Sequence, residues 1–204
     1  MAPNDAPILS VGVVADTHIP DRARELHPKL IPALEAAKVG LILHAGDIST
    51  PSVLEDLGHV APVKAVRGNR DWSFRDSLPL VLHLELAGVP VALMHGHGGW
   101  WNYIKDKGRY VFEGYQFDRY RKMVVELAAD ARVIVFGHTH RVENVKIGGR
   151  IIFNPGSANS GYRRGVLPSI GFLHFFAGGE VQGEILNLTG YQNRDGMWEA
   201  AESS

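Results

Sequence analysis

The 204-residue chain has no cysteine, almost no net charge and no apolar run long enough to span a bilayer. Each absence excludes something. Without cysteine there is no disulfide framework, and no thiolate can serve as nucleophile or metal ligand. Such a chain fits a reducing compartment. A formal net charge of -1, from 21 basic and 22 acidic side chains, argues against coating nucleic acid or anionic membrane by bulk charge. No basic stripe follows a helical face, so extended nucleic-acid binding is not expected, while a local phosphate pocket stays open. The opening MAPNDAPILSVGVVAD lacks a basic region, and its apolar run ends at Asp16 after about eight residues, too short for a membrane span or a signal segment. A cytoplasmic protein without a membrane partner is the expectation. Internal repeats and low-complexity linkers are also missing, and the length suits a single domain with its own core.

What is present alternates. ILSVGVVAD (8–16), LILHAGD (41–47) and VKAVRGN (63–69) read as short buried strands, with KLIPALEAAKVG and PSVLEDLG between them as helices. Ser49 and Thr50 are candidate caps for the second helix, and Pro51 suits its first turn. Apolar strands with helical crossovers imply a parallel sheet covered on both faces. Beyond residue 80 the pattern becomes a meander. LVLHLELAG and VPVALMHG meet at Gly88, and Gly-Gly pairs at 148–149 and 178–179 mark further hairpins. FDRYRKMVVELAAD (117–130) reads as an amphipathic helix with Phe117, Tyr120, Val124 and Leu127 on its apolar face. A domain over 1–190 and a flexible polar tail over 191–204 are expected.

His18, His44, His95, His97, His138 and His140 all lie at or near the ends of apolar runs. The stretch RVIVFGHTH poses the question most sharply. If extended geometry persists past Gly137, His138 and His140 point to the same side. Asp16, Asp47, Asn69 and His95 also follow strand-like runs. Ligand sites of open α/β sheets gather beyond the carboxyl ends of the strands. A mixture of carboxylate, imidazole and amide suits divalent transition metals, and seven donors are too many for one tetrahedral ion. They suit two ions sharing a carboxylate.

Taken in order, DTH (16–18), GD (46–47), GNRD (68–71), HGH (95–97), GHTH (137–140) and NPGS (154–157) resemble the calcineurin-like metallophosphoesterase superfamily, in particular its small YfcE-type phosphodiesterases. The resemblance runs from about residue 8 to about residue 188. It implies an α/β fold, a four-layer α-β-β-α sandwich of two mixed sheets. It implies that Asp16, His18 and His140 hold one metal, that Asp47 bridges, and that Asn69, His95 and His138 complete the second. Manganese is the leading expectation, with iron, zinc and nickel as alternatives. The expected reaction is hydrolysis of small phosphodiesters by a hydroxide bridging the two ions.

One position departs from much of the superfamily, where a histidine follows the metal-binding asparagine. Here it is Arg70, a poor acid but a good grip for phosphate oxygens. Arg70 is therefore assigned to substrate binding, and His97 or a metal-bound water to protonating the leaving group. His44 and Asp71 read as supporting groups, and NPGS as a turn that walls the site. The aromatic segment 98–120 reads as core cover or a homodimer contact, with Trp100 the residue set against substrate if it overhangs the site. Two rivals remain: phosphomonoesterase or nucleotide pyrophosphohydrolase activity on the same metals, and a non-catalytic interaction scaffold of the retromer-subunit type. Loss of ligand histidines would support the scaffold, and every ligand position here is filled.

Overall fold

The computed structural model describes residues 6–97, 117–128, 130–161, 163 and 165–201, with the side chains of 117–120 outside the description. One sheet is built from β1 (Leu9–Val14), β2 (Leu41–His44), β3 (Val63–Ala65), β9 (Ser169–Phe175) and β10 (Val181–Asn187). Its order is β10-β9-β1-β2-β3. The other uses β4 (Val81–Leu86), β5 (Val89–Met94), β6 (Val133–Val135), β7 (Val142–Ile147) and β8 (Arg150–Pro155), in the order β4-β5-β6-β8-β7. Each has a parallel centre: β1, β2 and β3 in the first, β5, β6 and β8 in the second. The chain's later strands add antiparallel partners, so the wholly parallel sheet expected from the first half is a mixed one.

Burial on alternate sides of each strand explains the layering. Val11, Val13 and Ala15 face inward with Leu43, Leu93, Val133, Val135, Phe153, Leu173 and Phe175, and this cluster joins the two sheets. On the outer face of the first sheet, Val14, Ile42 and Phe172 pack on α1 (Leu30–Ala36) and α2 (Pro51–Gly58) through Leu30, Leu34, Val53 and Leu57. Gly12 permits that approach, because a Cβ there would stand 2.5 Å from Leu34 Cδ2. On the outer face of the second sheet, Met94, Ile134 and Phe136 pack on α3 (Phe117–Leu127) through Val124. The result is the expected α-β-β-α sandwich. Thr50 caps α2 by its backbone without a side-chain hydrogen bond, and Pro51 takes the first turn as read.

Two expectations change. Leu127, assigned to the apolar face of α3, is half exposed, and Ala128 is buried in its place because the helix turns its last residue outward. Residues 191–200, expected as a loose tail, form a hairpin of β11 (Tyr191–Arg194) and β12 (Met197–Ala200). It is pinned to the 22–27 loop. Trp198 Nε1 donates to the Glu25 carbonyl at 3.0 Å, Asn193 Nδ2 to that of Arg22 at 2.9 Å, and the Trp198 ring meets His27 at 4.5 Å. Its polar sequence hid an element that docks through two aromatic rings, Tyr191 and Trp198, on a buried histidine. Among the described residues, no helix is long and apolar enough to cross a membrane.

Candidate metal centre

Five strand ends deliver the site. Asp16 and His18 follow β1, Asp47 follows β2, Asn69 follows β3, His95 follows β5, and His138 and His140 follow β6. Because β1, β2 and β3 run parallel, as do β5 and β6, these ends share one edge of the sandwich. Asp16, His18, Asp47, His138 and His140 adopt φ values between 52° and 68°. Left-handed backbone is uncommon in non-glycine residues and clusters at functional sites. Here the unusual backbone sits on the donor residues themselves. Gly68 serves instead by closeness: a Cβ would lie 2.1 Å from Asp47 Oδ1.

This geometry corrects the reading of RVIVFGHTH. The strand stops at Val135, and His138 and His140 are left-handed, so they do not share a side as in an extended chain. They straddle the centre. His140 faces His18 with ring centroids 5.1 Å apart, and His138 faces His95, also at 5.1 Å.

Two groups of donor atoms converge, Asp16–His18–His140 and Asp16–Asp47–His95. In the first, His140 Nδ1 donates to the Ser160 carbonyl at 3.0 Å, leaving Nε2 3.3 Å from Asp16 Oδ1 and 3.1 Å from His18 Nε2. In the second, His95 Nδ1 donates to the Ala45 carbonyl at 2.7 Å, leaving Nε2 3.4 Å from Asp47 Oδ1 and 3.2 Å from Asn69 Oδ1. A backbone partner on one ring nitrogen fixes the tautomer that offers the other to a cation. Asp47 Oδ2 lies 3.8 Å from His18 Nε2, so its two oxygens face the two groups. Asp16 Oδ1 is buried with no hydrogen-bond partner, although its Oδ2 accepts the His138 N–H at 3.0 Å. An unpaired buried carboxylate oxygen is expensive, and a cation would satisfy it. The residues present therefore fit divalent metal.

The surrounding loops hold this arrangement. Asp71, buried, accepts the Ile48 and Ser49 N–H groups on Oδ1 at 2.8 Å each and the Gly68 N–H on Oδ2 at 2.7 Å. It ties the Asp47 loop to the Asn69 loop. NPGS is more than a wall, since Asn154 Nδ2 donates to the Gly137 carbonyl at 2.9 Å and Ser157 Oγ to that of Asp16 at 2.9 Å. Asn159, which the sequence reading passed over, holds the Thr17 carbonyl at 3.1 Å. Its partner is 142 residues away, so no local pattern marks it. His44 lies outside both donor groups. Its Nδ1 accepts the Gly46 N–H at 3.2 Å, and its Nε2 meets Thr17 Oγ1 at 3.3 Å. Arg70 sits at the rim: its main-chain N–H donates to Asp47 Oδ1 at 2.9 Å, and its guanidinium reaches Asp21 Oδ2 at 3.3 Å. His97 is buried, 5.4 Å from the His95 ring and 6.4 Å from His138. Trp100 lies outside the described residues.

Burial alone would raise both carboxyls, but His140 beside Asp16 and His95 beside Asp47 hold them below the ordinary 3.8. Burial likewise opposes a proton on His95, yet the Asp47 carboxylate outweighs it and lifts the ring to about 9. Burial lowers His18, His27 and His97 to about 4, and His44 and His138 to about 3. In protein stripped of metal, the unfolded chain therefore binds more protons than the native state as pH falls from 6.5 toward 3, and stability is lost in that window. His95 acts oppositely: its contribution is complete below 6.5 and is lost as pH rises through about 9. Urea midpoints in chelator should peak near neutral pH and fall more steeply on the acid side. A midpoint as high at pH 4.5 as at 7 would contradict the buried neutral histidines.

That fold is the one that metallophosphoesterases adopt. The chain belongs to the calcineurin-like phosphoesterase superfamily, whose domain model matches residues 9–175. It is 35% identical over 147 residues to a probable metallophosphoesterase of Methanothermobacter thermautotrophicus, covering 72% of this chain and 76% of that protein. It is 28% identical over 192 residues to vacuolar protein sorting-associated protein 29 of Schizosaccharomyces pombe, covering 90% and 91%. Among solved structures, vacuolar protein sorting 29 of Cryptosporidium parvum superposes with a TM-score of 0.68 at 21% identity, over 97% of each chain.

Proposed function

We propose that this protein is a phosphodiesterase that works with two divalent transition-metal ions, manganese foremost, and hydrolyses small phosphodiesters. Asp16, His18 and His140 would hold one ion, and Asn69, His95 and His138 the other, with Asp47 shared. The ions would supply Lewis acidity toward phosphate oxygens and a water-derived nucleophile at neutral pH. Ser160 and Ala45 keep the His140 and His95 tautomers that leave Nε2 for metal. Arg70 offers its fork to phosphate oxygens at the rim. With its pKa near 4, His97 is neutral at pH 7, so it suits hydrogen bonding to the substrate better than storing a proton for the leaving group. The buried, unpartnered Oδ1 of Asp16, a residue common to both donor groups, is the observation that carries this reading.

A doubly charged monoester asks for more cation than a diester, and Arg70 at the rim is already paired with Asp21, which favours the diester over monoesterase or pyrophosphohydrolase action. The likeness to a vacuolar sorting protein over nine-tenths of the chain favours the interaction scaffold instead. A filled donor set weighs against it. The test is turnover of bis(p-nitrophenyl) phosphate and p-nitrophenyl phosphate by protein stripped with chelator and then reloaded with Mn²⁺. Diester hydrolysis that vanishes on stripping and returns on loading is expected. Silence toward both esters with metal measurably bound would overturn the enzyme reading and leave the scaffold.

A further inference from the structure

We infer that Asp21 sets the preference of this site for singly over doubly charged phosphate esters, an inference that rests on the phosphoesterase reading above. The carboxylate lies on the loop that follows the Asp16–His18 turn, and it belongs to neither group of converging metal donors. Its Oδ2 stands 3.3 Å from Arg70 Nη1, the two side chains being 41% and 44% exposed. The Arg70 main-chain N–H is bonded to Asp47 Oδ1 at 2.9 Å, so this ion pair starts one residue from the centre and stays at its rim.

The next residue, Arg22, marks the opposite flank. Its Nη1 donates to Ser160 Oγ at 3.3 Å, and the Ser160 carbonyl accepts the His140 Nδ1–H at 3.0 Å. Among the described residues, Arg22 and Arg70 thus each stand near a donor group, and Asp21 opposes the charge of Arg70. Exposed ion pairs contribute little to stability, so the consequence of this pair lies in the field it sets at the rim. A diester carries one negative charge and a monoester approaches two. Each unit of substrate charge feels the Asp21 carboxylate, so Asp21 penalises the monoester by one unit more. Taken about 10 Å from the phosphate, with an effective dielectric of about 35 between that of a protein surface and that of water, a single charge changes such a ratio by about fivefold.

The experiment compares wild type, Asp21→Asn and Asp21→Glu, all loaded with Mn²⁺, on bis(p-nitrophenyl) phosphate and p-nitrophenyl phosphate. Asn keeps an oxygen that can accept from Arg70 and removes only the charge, whereas Glu keeps the charge. Asp21→Asn should raise the monoester-to-diester ratio of kcat/KM about fivefold, chiefly through a lower monoester KM, with Asp21→Glu near wild type. An unchanged ratio in Asp21→Asn overturns the inference. So does an equal shift in both variants, which would assign the effect to the geometry of the tether. Wild type inactive on both esters would defeat the phosphoesterase reading instead. Calorimetric binding of inorganic phosphate to the Mn²⁺-loaded proteins then decides on Asp21 alone: tightening in Asp21→Asn supports its role, and equal affinity overturns it.

Discussion

Replacing Asp71 with alanine should destabilise the protein by about 3 kcal/mol or more and weaken metal uptake about 10- to 100-fold. The carboxylate accepts three main-chain N–H groups, from Ile48, Ser49 and Gly68, within a site only 2% exposed. Alanine has no acceptor, and the cavity it leaves is walled by those donors. A buried donor left unpaired costs about 1–3 kcal/mol, and bonds to a charged acceptor lie toward the upper end. The metal effect follows from position. Asp47 lies one residue before Ile48, and Gly68 one residue before Asn69, so the same side chain sets the spacing of two proposed ligands. The near contact of Gly68 with Asp47 makes that spacing unforgiving, because a Cβ would already overlap Asp47 Oδ1. Asp71→Asn retains an oxygen for two of the donors and presents an amide NH₂ to the third, so an intermediate loss is expected. Urea unfolding in chelator would measure the stability change, and calorimetric titration with Mn²⁺ the affinity. An alanine variant within about 0.5 kcal/mol of wild type would refute the clamp.

The ends of the strands carried most of what the sequence disclosed. Polar residues such as Asp16, Asp47 and His95 interrupt apolar runs where the chain leaves the core, and that interruption is a local signal. The periodicities that built the sandwich are local too: inward-facing Val11 and Val13 alternate with Gly12 and Val14. What remained hidden depends on residues far apart in the chain. Nothing near Ser157 or Asn159 announces that they hold the backbone of Asp16 and Thr17. Asp71 was visible within GNRD, but its three donors come from two loops, so its role as a clamp was not. The His138–His140 pair shows a different failure. Spacing of two implies a shared side only in extended chain, and the left-handed turn after Val135 separates the rings by placing them on opposite flanks. The C-terminal hairpin escaped because polar composition reads as tail, while its docking depends on Tyr191 and Trp198 meeting a histidine more than 160 residues earlier in the chain.

Asp47→Asn should leave the fold intact and reduce ester hydrolysis by about three orders of magnitude or more. Asparagine nearly matches the shape of aspartate, and its oxygen can still accept the Arg70 N–H that Asp47 Oδ1 holds at 2.9 Å. What disappears is charge. The carboxylate faces His95 Nε2 at 3.4 Å on one oxygen and His18 Nε2 at 3.8 Å on the other, and it is the group proposed to be shared by both ions. A histidine titration in metal-stripped protein gives a readout independent of turnover. In wild type, Asp47 holds the His95 proton on to about pH 9 against the pull of burial. Without that carboxylate only Asp16 and the Ala45 carbonyl oppose burial, and the ring should lose its proton at a lower pH than in wild type. The stability lost between pH 6.5 and about 9 should shrink with it, because a histidine raised less above its unfolded value contributes less that alkali can remove. Loss of activity together with the moved titration would tie catalysis to the charge at this position. A variant that keeps wild-type turnover would mean that Asp47 is not the carboxylate on which the centre turns, and an inactive one whose His95 still titrates near 9 would mean that another group holds that proton.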